Sequence, residues 1–135
     1  MENKEKIKGL VFDIDGTLCP IKSKEEKYED LVPYQEMIDK LREYKEQGFK
    51  IILQSARNMN SYKGNQGLIN ANTLPTLINW LNKWNIPYDE IYMSKPWPGH
   101  IGYYIDDRAI RPREFLEKTP EELDEIISRD RKIQE

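Results

Sequence analysis

The stretch Leu10-Val11-Phe12-Asp13-Ile14-Asp15-Gly16-Thr17 constrains this chain more than any other. Ile7 to Phe12 is a short apolar run rich in β-formers, the pattern of a buried strand. It stops at two aspartates, a glycine and a threonine. Side chains alternate along a strand, so Asp13 and Asp15 are expected on the same side. Two carboxylates at the end of a buried strand repel unless positive charge lies between them. A hard divalent cation answers that need, because it takes carboxylate and carbonyl oxygens. Gly16 then lets the chain turn away sharply.

The rest of the chain reads as alternating strands and helices. Pro20 to Leu31 is expected to be a charged loop or flap over the carboxyl end of the sheet. A helix is expected to open at Val32-Pro33, with Met37, Ile38, Leu41 and Tyr44 at helical spacing and Gly48 as its C-cap. Phe49 to Leu53 reads as a second buried strand. Gln54 to Thr73 is a long polar stretch with five asparagines, expected to be a substrate-facing insertion. Leu74-Pro75 starts the next helix, with Leu77, Ile78, Leu81 and Trp84 on one face, and Asn85-Ile86-Pro87 ends it. Asp89 to Met93 is expected as a third strand and Gly102 to Ile105 as a fourth, which again stops at two aspartates, Asp106 and Asp107. Thr119-Pro120-Glu121-Glu122 has the form of an N-cap, a Pro at N1 and a capping-box Glu, opening a C-terminal helix over about 119–133.

This order predicts an α/β fold: a doubly wound parallel sheet with helices on both faces. A chain of 135 residues supports one such domain, 1–135, with the core motifs over 7–112 and no separate cap domain. In these sheets a ligand sits beyond the carboxyl ends of the strands. Asp13, Asp15, Ser55, Lys95, Asp106 and Asp107 all fall there. Net charge is -3, which gives no electrostatic case for nucleic acid or an anionic membrane. Met1 to Lys8 is polar and charged, unlike a signal peptide, and no apolar run approaches about 18 residues. One cysteine, Cys19, and one histidine rule out an internal disulfide and a His/Cys metal cluster. Cys19 is expected to be a buried structural thiol. The expectation is a cytoplasmic protein with no membrane partner.

These groups suit the hydrolysis of a phosphate monoester. Asp13 can attack phosphorus and form an aspartyl phosphate. Mg²⁺ held by Asp13 and Asp106 would neutralise the repulsion between two anions. Lys95 can balance the nucleophile and the transferring group. Ser55 and the N–H groups after it can hydrogen-bond phosphoryl oxygens. Asp15 can protonate the leaving oxygen and later take a proton from the attacking water. Arg57 is expected on phosphate or substrate, with an ion pair to a local carboxylate as its other reading. Asn58 and His100 are candidates for substrate contact, each with a plain turn or loop role as the alternative. Arg108 is expected to hold Asp107 or the following turn.

Asp13-Ile14-Asp15-Gly16-Thr17, Ser55 closing a strand, Lys95, and Asp106-Asp107 resemble motifs I to IV of the haloacid dehalogenase superfamily, in order, over residues 7–107. The resemblance implies a Rossmann-like core, Mg²⁺ and an aspartyl-phosphate intermediate. It implies Asp13 as nucleophile and Asp15 as acid/base with its main-chain carbonyl on the metal. Ser55 and Lys95 would bind phosphate, Asp106 would be a direct metal ligand, and Asp107 a water-mediated one. Ser55-Ala56-Arg57-Asn58-Met59, Tyr62-Lys63-Gly64-Asn65, Thr73-Leu74-Pro75, Lys95-Pro96-Trp97 and Asp106 through Pro112 are similar to small capless phosphatases of capsule biosynthesis. That finer likeness implies a small phosphorylated sugar or polyol from surface-polysaccharide assembly as substrate, and a homo-oligomer, dimer or tetramer.

Other classes fit less well. A receiver domain carries its acidic pair on the first strand and its phosphorylated Asp on a middle one, whereas here the middle strand ends in Ser55. A phosphomutase shares the motifs but usually shields its intermediate under a cap. A non-catalytic sugar-phosphate-binding module would not need both Asp13 and Asp15. A phosphatase of protein or nucleic-acid termini remains the main alternative, because an open site admits macromolecules.

Overall fold

The computed structural model describes residues 6–131, so most of the charged Met1–Lys8 segment and the last two positions of the expected 119–133 helix lie outside the described residues. The chain divides into two compact units, Met1–Trp97 and Pro98–Glu135.

The first unit is built on three parallel strands in the order β1-β2-β3: β1 (Gly9–Asp13), β2 (Lys50–Gln54) and β3 (Glu90–Tyr92). Leu10 pairs with Ile51, Phe12 with Leu53 and Asp13 with Gln54. Parallel neighbours need long crossovers, and helices supply them. The first is α1 (Gln35–Glu46), which buries Met37, Ile38, Leu41 and Tyr44, the spacing that the sequence displays. It starts at Gln35, two residues after Pro33, because Tyr34 is extended as the N-cap and its N–H donates to the Leu18 carbonyl at 2.8 Å. It ends as expected at Gly48, whose φ of 94° suits glycine. There the Phe49 N–H donates to the Tyr44 carbonyl at 3.1 Å and the two rings meet edge to face, a Schellman closure with its apolar contact.

The second crossover differs from expectation. The polar stretch after Gln54 is not all loop, because it contains α2 (Gln66–Asn72). Asn65 caps this helix by accepting from the Leu68 N–H, so one of the asparagines of the expected insertion starts a helix. α3 (Leu74–Lys83) follows, with Pro75 in its first turn and Leu77, Trp80 and Leu81 buried. It closes at Asn85, φ 54°, with the Ile86 N–H on the Leu81 carbonyl. Trp80 Nε1 donates to the Leu31 carbonyl at 2.7 Å and fixes the end of the 20–31 loop, just beyond a 3-10 turn at Tyr28–Asp30.

Along β1 and β2 burial alternates: Phe12, Ile51 and Leu53 are almost fully covered, whereas Val11 is 58% exposed. The covered face carries the core, with Met37, Ile38, Leu41, Leu77 and Leu81.

The second unit contains α4 (Pro112–Glu117) and α5 (Pro120–Arg131). The capping box at Thr119 forms as read: the Thr119 N–H donates to Glu122, and the Glu122 N–H to the Thr119 hydroxyl. Phe115 and Leu123 are buried, Ile126 and Ile127 half-buried. The expected fourth strand, Gly102 to Ile105, is absent. Those residues are exposed, with Ile105 at 93%, and they form no strand among the described residues. Gly102 also lies so near the Pro98 carbonyl that a side chain there would strike it, so this segment begins in a turn. An apolar run becomes a strand only where another strand satisfies its backbone.

Candidate functional site

The ends of the three strands converge because the ladder continues past them. The Ser55 N–H donates to the Tyr92 carbonyl at 2.9 Å, and the Lys95 N–H to the Ser55 carbonyl at 3.2 Å. Ser55 and Lys95 are thereby tied at the carboxyl ends of β2 and β3. From there Lys95 Nζ reaches Asp13 Oδ1 at 3.2 Å, with the lysine side chain 13% exposed.

Asp13 closes β1, and the chain then wraps around the Ile14 carbonyl. The N–H groups of Thr17, Leu18 and Cys19 all approach that oxygen, and the Gly16 N–H donates to the Cys19 carbonyl. Gly16 takes φ 86°, the conformation for which glycine suits this turn. Ile14 is fully buried while Asp13 and Asp15 on either side of it are partly exposed, the alternation that the motif predicts. Thr17 Oγ1 donates to Asp13 Oδ2 at 3.4 Å.

Burial raises the Asp13 carboxyl above the ordinary carboxylate range, Lys95 pulls it back, and Asp15 raises it further. A half-buried carboxylate that one ammonium only partly compensates favours additional positive charge. The Asp13 carboxylate and the Asp15 main-chain carbonyl are hard oxygen donors of the kind Mg²⁺ takes. Among the described residues, no three His, Cys, Asp or Glu side chains gather into one cluster.

Asp15 is held differently. Arg57 Nε donates to its Oδ2 at 2.9 Å and Nη2 to its Oδ1 at 3.0 Å. The arginine side chain is fully buried, whereas the Asp15 side chain is 24% exposed. Of the two readings that the sequence left for Arg57, the structure shows the ion pair. Ser55, itself 1% exposed, accepts the Arg57 main-chain N–H on its hydroxyl at 3.0 Å, which turns the chain so that the guanidinium meets Asp15. Asn58 adopts φ 61° and accepts from the Thr73 hydroxyl at 2.6 Å, tying the turn after Arg57 to the junction of α2 and α3. Cys19 is buried beside Asp15, and burial foremost pushes its thiol up to about 12.

Tyr28 was not singled out in the sequence, yet it belongs here: the Arg57 guanidinium carbon lies 4.0 Å from its ring centroid. The available signal was a single aromatic residue within the charged Pro20–Leu31 stretch.

The remaining candidates belong to the second unit. His100 is exposed in the loop after Pro98-Gly99. Asp106 accepts the Arg108 main-chain N–H at 2.9 Å, a local turn, and Asp107 is paired with Arg131 at 3.0 Å. The carboxylate held in that turn is thus Asp106 rather than Asp107, and Arg131 had no sequence signal at all.

No protein-family model and no curated protein matches the chain. Among solved structures, the crystal structure of a target protein from Vibrio cholerae superposes with a TM-score of 0.86 at 45% identity, covering 92% of this chain and 99% of that one. Two structures of a Pnkp1/Rnl/Hen1 complex, one titled an RNA repair complex, are more distant. They show 23% and 24% identity, TM-scores of 0.47 and 0.48, and coverage of 28% and 37% of those chains.

Proposed function

We propose that this chain, which belongs to one family with the Vibrio cholerae protein, is a Mg²⁺-dependent phosphomonoester hydrolase working through an aspartyl phosphate. The observation that carries the reading is the Asp13–Lys95 pair at the carboxyl end of a parallel sheet, with the carboxylate of Asp15 two residues on. The three parallel strands are read as the core of a Rossmann-like, doubly wound sheet.

In the first step an Asp13 oxygen attacks phosphorus, a new O–P bond forms and the bond to the leaving oxygen breaks. Asp15 gives that oxygen a proton, so the product departs as an alcohol. In the second step Asp15 takes a proton from water as the water oxygen bonds to phosphorus. The acyl phosphate breaks, restoring the Asp13 carboxylate and releasing inorganic phosphate. Lys95 stays on Asp13 and on the phosphoryl oxygens, balancing charge through both steps. Ser55 offers main-chain and hydroxyl donors nearby. Asp13 and the Asp15 carbonyl would hold Mg²⁺, and the sequence resemblance adds Asp106 as a direct ligand and Asp107 as a water-mediated one; when bound, the metal supplies charge neutralisation for an anion attacked by an anion. Asn58 and His100 are assigned to substrate contact. The substrate is read as a sugar or polyol phosphate of capsule or surface-polysaccharide assembly, and the working form as a homo-oligomer.

Phosphate release across sugar, polyol and nucleotide monophosphates, with and without Mg²⁺ and with Asp13→Asn alongside, tests this. A preferred sugar or polyol phosphate whose turnover is lost with the mutation or in chelator supports it. No release from metal-loaded protein, or equal release by Asp13→Asn, refutes it.

A further inference from the structure

The geometry points to Arg57 and Tyr28 as a positioning pair for Asp15, through which the 20–31 loop controls how well Asp15 serves the leaving group. The inference rests on the hydrolase reading and adds to it. Three observations lead here. First, the Arg57 side chain is fully buried while the Asp15 side chain is partly exposed, so an incoming molecule meets the carboxylate and not the guanidinium. Second, Arg57 grips both Asp15 oxygens through Nε and Nη2, which fixes the carboxylate plane. A carboxylate has about four lone-pair sites, so this grip leaves acceptor capacity on each oxygen.

Third, the guanidinium is not fully satisfied by its carboxylate. Nη1 is buried and has no hydrogen-bond partner among the described residues. A buried charge left partly unpaired is unfavourable, and the face of an aromatic ring is one of the few neighbours that offsets it. Tyr28 supplies that face at 4.0 Å. Its phenol is raised by burial first and by Asp15 next, as expected for a ring packed into the same cluster. The ring comes from the 3-10 turn of the 20–31 loop, whose end Trp80 anchors through the Leu31 carbonyl. Tyr28 therefore holds Arg57, and Arg57 aims Asp15.

An acid that must be aimed matters most when the leaving oxygen is a poor leaving group. Turnover of an alkyl phosphate and of p-nitrophenyl phosphate should be compared for wild type, Tyr28→Phe, Tyr28→Leu and Arg57→Lys. For the alkyl ester, kcat is expected to fall about tenfold in Tyr28→Leu and about a hundredfold in Arg57→Lys, with KM unchanged. For the p-nitrophenyl ester, whose leaving group needs no proton, the rate of the initial p-nitrophenol burst should fall less than about twofold in both. Tyr28→Phe keeps the ring and should stay near wild type on both. A p-nitrophenol burst slowed as much as alkyl-ester turnover, a KM effect alone, or a loss in Tyr28→Phe as large as in Tyr28→Leu would overturn the assignment.

A second readout is independent of turnover. In the metal-free protein the Arg57 Nε–H proton resonance should be ring-shifted upfield and slow to exchange, the upfield shift lost in Tyr28→Leu and kept in Tyr28→Phe. Turnover without this signature sinks the positioning pair alone. The signature without turnover of any phosphomonoester sinks the hydrolase reading, and the catalytic role of the pair with it.

Discussion

Two aspartate pairs follow apolar runs in this chain, and their surroundings are opposite. Asp13 and Asp15 end a strand that has a partner, and each meets a cation whose side chain is nearly or fully buried. Asp106 and Asp107 follow a run that forms no strand among the described residues. One caps a local turn and the other meets Arg131, with both members of that pair about half exposed. The sequences look alike, apolar residues and then two acids. The difference is burial: the first pair is held by cations that are nearly or fully buried, the second by a local turn and an exposed ion pair.

The sharpest way to break this contrast is activity. Asp13→Asn should lower phosphate release by about three orders of magnitude or more, while circular dichroism shows the fold retained. Stability comes next. Arg57→Ala leaves Asp15 without its buried partner and should cost about 3 kcal/mol in urea denaturation. The matching change in the second unit, Arg131→Ala, should leave the denaturation midpoint where it was, because an exposed pair gains little. Equal effects of the two changes would show that burial does not separate the pairs.

A subtler effect concerns pH. Burial raises the Asp13 carboxyl in the folded state, so the folded chain binds its proton more tightly than the unfolded chain does. The contribution is stabilising below the unfolded value and is lost as pH rises through the raised folded value. As pH rises from about 4, wild type should therefore lose stability relative to Asp13→Asn in metal-free buffer. Denaturation of both proteins across that rise checks the sign. Last, Cys19 should resist iodoacetamide at pH 8 in the folded protein and react on unfolding. Its thiol, pushed up to about 12, holds almost no thiolate there.

What the sequence revealed was local. The Asp13/Asp15 spacing, the strand end before Ser55, Gly48 at the close of α1 and the capping box at Thr119 all depend on residues within one or two turns of each other. Each appears as read. What it hid was long-range or depended on a partner. The Arg57 grip on Asp15 joins positions 42 residues apart, and no periodicity announces it. Tyr28 lay within a run whose charges signalled only a loop or flap. Asn65 had the chemistry of a turn and of a helix cap at once, and only the residues after it decide between them. The run at 102–105 has the composition of a strand and lacks the ladder.

The anchoring of the 20–31 loop has a consequence for engineering. Its near stem is pinned where the Tyr34 N–H meets the Leu18 carbonyl, and its far stem where Trp80 meets Leu31. Tyr28 belongs to the far stem. Residues between Lys22 and Lys27 can therefore grow in number at a closure cost of only about 0.6 kcal/mol per doubling of loop length. Length here is a free design variable: the rim of the site can be rebuilt for larger or smaller ligands while the ring over Arg57 keeps its address.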